Sequence, residues 1–197
     1  MFIRNIGFFG YSEAKENSRL YKEAFEIARL LSKEGYTIVN GGGPGVMYAS
    51  TKGAEAAGGD TISVTFNPQD APGFEGRYLK NTTDKEIKTS NYVERMFKLF
   101  EHADTYIIFQ GGTGTLSEFA TTWCLARLYY GYHKPFVLYG AFWKKILTCL
   151  EQNLILRGTE DKVYRIATTP KAVLRYMAEF EKEFARRLGR VYFEKRK

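Results

Sequence analysis

The chain has 197 residues, 44% of them hydrophobic, which suits one domain spanning 1–197 with a core of its own. Its net charge of +7 raises nucleic acid as a partner, but from Lys171 onward nine Lys or Arg stand against four acids, so five of the seven excess charges lie at the chain's end. No run approaches the roughly eighteen apolar residues of a membrane span, and "MFIRNIGFFG" reads as a first strand, not a signal peptide.

The two cysteines, Cys124 and Cys149, fall inside helical apolar patterns and read as buried free thiols of a cytoplasmic protein. With two histidines and no Cys or His pair at ligand spacing, no metal site is expected.

In chain order, "NIGFFG" predicts a buried strand. "SRLYKEAFEIARLLSKEG" places Leu20, Tyr21, Ala24, Phe25, Ile27, Ala28, Leu30 and Leu31 at helical spacing and stops at Gly35. "YTIVN" is a strand, and "GGGPGVMYASTKGAEAAGG" is a glycine loop running into a helix with Pro44 near its start. "DTISVTF" is a strand, residues 67–81 a long loop, and "KEIKT" a short strand. "SNYVERMFKLFEHA" predicts a helix N-capped by Ser90. Its apolar stripe is Tyr92, Val93, Met96, Phe97 and Phe100, with Arg95, Lys98 and His102 on another face. "TYIIF" is a strand, then comes "QGGTGT" and a helix over about 116–128. "PFVLY", "FWKKILTCLEQNLILRG", "KVYRIAT" and "PKAVLRYMAEFEKEFARRLG" complete the alternation as strand, helix, strand and helix, the last with Pro170 at its start.

Short apolar strands alternating with helices imply an α/β fold, a doubly wound, mostly parallel Rossmann-like sheet with helices on both faces. Ligands bind such sheets where strands end and helices begin. Three glycine-bearing turns fall there: "FGYS" (9–12), "NGGGPGVM" (40–47) and "QGGTGT" (110–115). Neither longer loop is followed by Gly-Lys-Ser/Thr, and "FGYS" is not G-x-G-x-x-G, so a P-loop NTPase and an NAD enzyme are both disfavoured. Glycine also serves tight turns, but two such loops after parallel strands favour ligand binding, and the composition suits phosphate held by backbone N–H groups at a helix N-terminus, with the Thr113 and Thr115 hydroxyls as further donors. Glu118 is placed in the first turn of the helix that follows, where an acid also favours the helix dipole. Arg95, Lys98 and His102 share a face of the helix preceding that strand, and a cation from it beside the acid and the loop would make a hydrolytic site.

"NGGGPGVM…KGAEAAGG", "ER" at 94–95 and "GGTGTLSE" together resemble the LONELY GUY (LOG) family, once labelled lysine-decarboxylase-like. Its signatures are a "GGGPG-[IV]-M" or "GGGxxGLM" loop, an "RK" pair on a helix, and "PGGxGTxxE". The fifteen steps from Arg95 to Gln110 match as well, and the likeness runs from about Ile6 to Met177. The resemblance implies a phosphoribohydrolase that cleaves the N-glycosidic bond of nucleoside 5′-monophosphates, cytokinin ribotides and AMP among them, to free base and ribose 5-phosphate. It also implies a dimer with the site near the interface, and no metal or organic cofactor. Carried over by motif position, Arg95 and Glu118 are the catalytic pair, and Gly111, Gly112, Thr113, Gly114 and Thr115 hold the 5′-phosphate. Gly41, Gly42, Gly43, Gly45, Val46 and Met47 border the nucleotide, with Gly10 and Ser12 near the first strand's end.

Two positions depart from the family. Met96 replaces the lysine of "RK" and sits on the apolar stripe, with Lys98 a substitute cation from another angle. Gln110 replaces the proline before "GGTGT" and either loosens the loop or contacts ligand. Both favour the alternative, a non-catalytic nucleotide-binding protein or molybdenum-cofactor carrier of the same superfamily. Lysine decarboxylation is disfavoured because no lysine has a pyridoxal-phosphate setting, and DNA binding through the basic end is a minor third option.

Overall fold

The structure, a computed structural model, describes residues 2–67 and 77–194, with side chains as far as 187. Residues 68–76 of the predicted loop lie outside the described residues. Seven strands form one sheet: β1 Asn5–Phe9, β2 Thr37–Asn40, β3 Thr61–Phe66, β4 Lys85–Thr89, β5 Thr105–Ile108, β6 Phe136–Tyr139 and β7 Tyr164–Ala167. The helices are α1 Arg19–Lys33, α2 Val46–Glu55, α3 Tyr92–His102, α4 Thr113–Leu128, α5 Phe142–Asn153 and α6 Pro170–Glu194, with a 3-10 turn at Glu160–Val163. All six strand pairings are parallel, in the order β4-β3-β2-β1-β5-β6-β7, so the expected doubly wound sheet is parallel throughout.

The central strands β1, β5 and β6 are apolar on both sides because both sides are covered. Successive side chains of a strand face opposite ways. Phe8 thus packs with α1, α2 and α6 residues such as Ile27, Ala49 and Phe180, while Phe9 packs with Leu99, Phe119 and Trp143 of α3, α4 and α5. Each such aromatic contributes about 1.5–3 kcal/mol by leaving water. On the α3–α5 side, the Trp143 indole N–H also donates to the Ile108 carbonyl at 3.2 Å, tying α5 to the end of β5.

Three local expectations are corrected. The N-cap of α3 is Asn91, whose side chain accepts the Glu94 N–H at 2.9 Å. Ser90 instead bonds the Glu94 carboxylate through its N–H and hydroxyl. Helix α4 begins at Thr113, three residues earlier than expected, because Gly112 in extended conformation already serves as its cap. Both cysteines are free but exposed, since the turns of α4 and α5 that carry them face outward.

The chain order explains where a site forms. From β1 the chain steps outward through β2, β3 and β4, then returns to place β5 on the other side of β1. The crevice beyond the carboxyl ends of β1 and β5 is therefore the switch point where such sheets bind ligands.

Candidate functional site

A cavity of about 290 Å³ opens at this point, lined from β1 and its loop by Phe8–Glu13, from α2 by Met47, from α3 by Tyr92 and Arg95, and from α4 by Gly112–Thr115 and Glu118. Three loops are sewn together around it by their backbones. The Tyr11 N–H donates to the Gln110 carbonyl at 3.0 Å, and the Val46 N–H donates to the Tyr11 carbonyl at 3.0 Å. Gly45 permits this: its φ is +63°, and a Cβ there would run into the Tyr11 and Ser12 carbonyl oxygens.

The early start of α4 changes what its first turn offers. The N–H groups of Thr113, Gly114 and Thr115 precede the first intrahelical donor, Leu116, which bonds the Gly112 carbonyl at 3.0 Å. These three have no partner within the helix, and they stand at the positive end of its dipole on the cavity wall. Glu118 then lies in the second turn, not the first, and α4 has no acid in its first turn. Dipole compensation does not account for Glu118.

Glu118 and Arg95 reach the same cavity from α4 and α3. Burial pushes the Glu118 carboxyl up to about 8, against the pull of the Arg95 cation. Arg95 is 5% exposed, and burial lowers its pKa, with Glu118 and Tyr92 opposing. Its Nε donates to the Val64 carbonyl at 3.0 Å and its Nη2 to the Gly41 carbonyl at 2.9 Å, with the Met47 sulfur 3.6 Å away. Among the described residues no carboxylate forms an ion pair with Arg95, so the cation is held by neutral acceptors.

Of the residues singled out in the sequence, Gly10, Ser12, Met47, Arg95, Gly112, Thr113, Gly114, Thr115 and Glu118 line the cavity. Gly111, Gly41, Gly42, Gly43, Gly45 and Val46 are not on its wall. Val46 is fully buried beneath Gly10, and Gly111 lies against the Thr115 side chain. The carbonyls of Gly41, Gly42 and Gly43 accept from Arg95, the Tyr78 N–H and the Asn81 side chain.

Of the two departures, Met96 is explained by packing, while nothing in the structure explains the Gln110 side chain, which is exposed. Met96 lies between α3 and α4, with its sulfur 3.6 Å from the Ser117 hydroxyl and 3.9 Å from that of Thr121. Gln110 ties the loop through its carbonyl and is not on the cavity wall. A proline has that carbonyl too, so the bond does not depend on the side chain. Lys98 supplies no site cation, because it pairs with Glu101 at 2.7 Å away from the cavity.

Tyr11, Glu13 and Tyr92 were missed. The Tyr11 hydroxyl donates to the Glu13 carboxylate at 2.8 Å, and the Tyr92 ring meets Phe66 edge-on at 6.2 Å. The switch-point rule, applied to the whole turn after β1, had the power to find the first two. Among the described residues, no group of three or more His, Cys, Asp or Glu is placed to hold a metal ion, and no helix is long and apolar enough to cross a membrane.

Comparison with known proteins bears on the family and the fold. An uncharacterized protein of Archaeoglobus fulgidus is 31% identical over 120 residues, covering 61% of this chain and 74% of that one. A cytokinin riboside 5′-monophosphate phosphoribohydrolase of Mycobacterium tuberculosis is 32% identical over 124 residues, 62% of this chain and 63% of its own length. Among solved structures, the molybdenum cofactor binding protein of Rippkaea orientalis superposes with a TM-score of 0.67 at 23% identity, over 91% of this chain and 98% of that one. The SLOG cluster4 family model matches residues 3–163, and the chain belongs to that family, within the LOG and lysine-decarboxylase-like superfamily.

Proposed function

We propose that the protein is a hydrolase that cleaves the N-glycosidic bond of nucleoside 5′-monophosphates, releasing free base and ribose 5-phosphate. The observation that carries this reading is one cavity walled by a protonatable carboxyl, a buried arginine held by neutral acceptors and the open first turn of a helix. The N–H groups and hydroxyls at Thr113 and Thr115, with the Gly114 N–H, seat the 5′-phosphate. That remote contact positions the ribose for reaction.

Burial keeps the proton on Glu118 through neutral pH. As the C1′–N bond breaks, its electron pair goes to the base nitrogen, which takes the Glu118 proton. The resulting carboxylate, favoured by Arg95, stabilises the oxocarbenium-like sugar. Water then adds to C1′ and returns a proton to Glu118. The 32% identity to a phosphoribohydrolase supports the reaction class.

AMP incubated with the protein should yield adenine and ribose 5-phosphate by chromatography, and Glu118→Gln should lower kcat at least about 100-fold. No free base from any common 5′-monophosphate would sink this reading.

One observation favours a second reading, a non-catalytic nucleotide or molybdenum-cofactor carrier. At the position of the family's second cation, Met96 brings only a sulfur between two helices. Mass spectrometry of ligands released from the purified protein tests it.

We further propose a homodimer acting in the cytoplasm. Leu116, Ala120, Cys124 and Leu128 form an exposed stripe on α4, and Val93 and Phe97 of α3 are more than half exposed. Contiguous apolar surface of this kind marks an interaction site. The two free thiols suit a reducing compartment.

A further inference from the structure

We propose that the loop from β2 to α2 is the seat of Arg95, and that Gly41 is a positioning residue for that arginine, not a ligand contact. The loop has the composition of a phosphate cradle, but three of its carbonyls and the Gly42 N–H are already used. The Gly41 carbonyl accepts from Arg95 Nη2 at 2.9 Å, the Gly42 carbonyl from the Tyr78 N–H at 2.9 Å, and the Gly43 carbonyl from the Asn81 side chain at 2.8 Å. The Gly42 N–H donates to the Asn40 side chain at 2.8 Å. Asn40 is itself fixed by donating to the Ser50 and Thr51 hydroxyls on α2. What the loop gives Arg95 is therefore a carbonyl held in place by its neighbours' bonds, and none of its glycines lines the cavity.

The absence of a side chain at 41 has a local cause. A Cβ there would overlap Arg95 Nη2, lie 2.6 Å from its Cζ and come within 2.9 Å of the Met47 sulfur. The guanidinium sits against this backbone, and its Nε donates to the Val64 carbonyl at 3.0 Å beside the bond to Gly41. Any larger residue at 41 displaces the cation from the wall it shares with Glu118. Arg95 is coupled to Glu118 through the field of its charge and makes no direct ion pair with it, so its distance sets how strongly it favours the carboxylate.

The functional importance of this seat rests on the reading of Arg95 as the cation of the reaction, but the geometry is testable without turnover. The Glu118 carboxyl, assigned by its loss in Glu118→Gln, is titrated by carbon-13 NMR in the ligand-free protein, in Gly41→Ala, in Arg95→Ala and in the double variant. Arg95→Ala should raise the midpoint by about one pH unit, Gly41→Ala should move it in the same direction, and the double variant should add nothing further. If Gly41→Ala does not fold, the double variant should recover the melting temperature of Arg95→Ala, because the clash is removed. A folded Gly41→Ala with an unmoved midpoint, an Arg95→Ala that leaves Glu118 unchanged, or an unfolded Gly41→Ala that Arg95→Ala fails to rescue would each overturn the proposal. Should the titrations shift while no 5′-monophosphate is hydrolysed, the seat stands and the hydrolase reading falls.

Discussion

Replacing Glu118 with glutamine should stabilise the protein at alkaline pH and leave it unchanged in acid. The Glu118 carboxyl ordinarily titrates at 4.5, and in the folded protein burial raises it to about 8. Between these values the native state holds a proton that the unfolded chain has released. Stability contributed by the protonated group is therefore fully present below pH 4.5 and is lost as pH rises through 8. The slope is about 1.4 kcal/mol per pH unit, which over the whole window gives a ceiling near 5 kcal/mol. Glu118 is partly open to the cavity, and solvent screening brings the expected difference at pH 9 to about 2–3 kcal/mol. Glutamine is nearly isosteric and stays neutral, so the variant escapes the loss. For a chain of this length the difference corresponds to roughly 5–10 °C in melting temperature. Urea denaturation of both proteins at pH 5, 7 and 9 measures it directly. Equal stability at pH 5 with a widening advantage for Glu118→Gln at higher pH is the expected result. A constant difference, or an advantage confined to acid, would refute the account of a carboxyl held protonated by burial.

Gly45→Ala should cost about 2–4 kcal/mol by denaturation, since the left-handed backbone at φ +63° and the clash with the Tyr11 and Ser12 carbonyls act together. Asn91→Ala should cost about 1 kcal/mol as the loss of the α3 cap, while Ser90→Ala should cost less than about 0.5 kcal/mol; the reverse order would restore Ser90 as the cap. Phe97→Glu and Leu128→Glu, at side chains exposed on α3 and α4, should each halve the mass measured by light scattering, and an unchanged mass would remove this face as the dimer contact.

The alternation of short apolar strands and helices was legible because local periodicity follows from burial, and a strand covered on both faces has little freedom but to be apolar. Glycines and capping residues marked most boundaries for similarly local reasons. The α3 cap was misread because Ser90 and Asn91 are adjacent and both suited to the task, and only the backbone path distinguishes them. Val93 and Phe97 show a limit of another kind. Helical spacing reveals that a face is apolar, but not whether it meets the core or lies open, and here the inward residues are Arg95, Leu99 and Phe100.

By itself, then, the sequence determined the fold class, the switch-point loops, and Arg95 with Glu118 as the residues to watch. Only the tertiary structure decided what the two glycine loops do. Their compositions are alike, yet "GGTGT" opens a helix whose first residues line the cavity, whereas "GGGPG" spends its carbonyls on Arg95, Tyr78 and Asn81. The difference lies in which distant groups arrive at each loop, 38 residues away in the bond from Asn81 to Gly43 and 54 in that from Arg95 to Gly41. No local pattern encodes those arrivals.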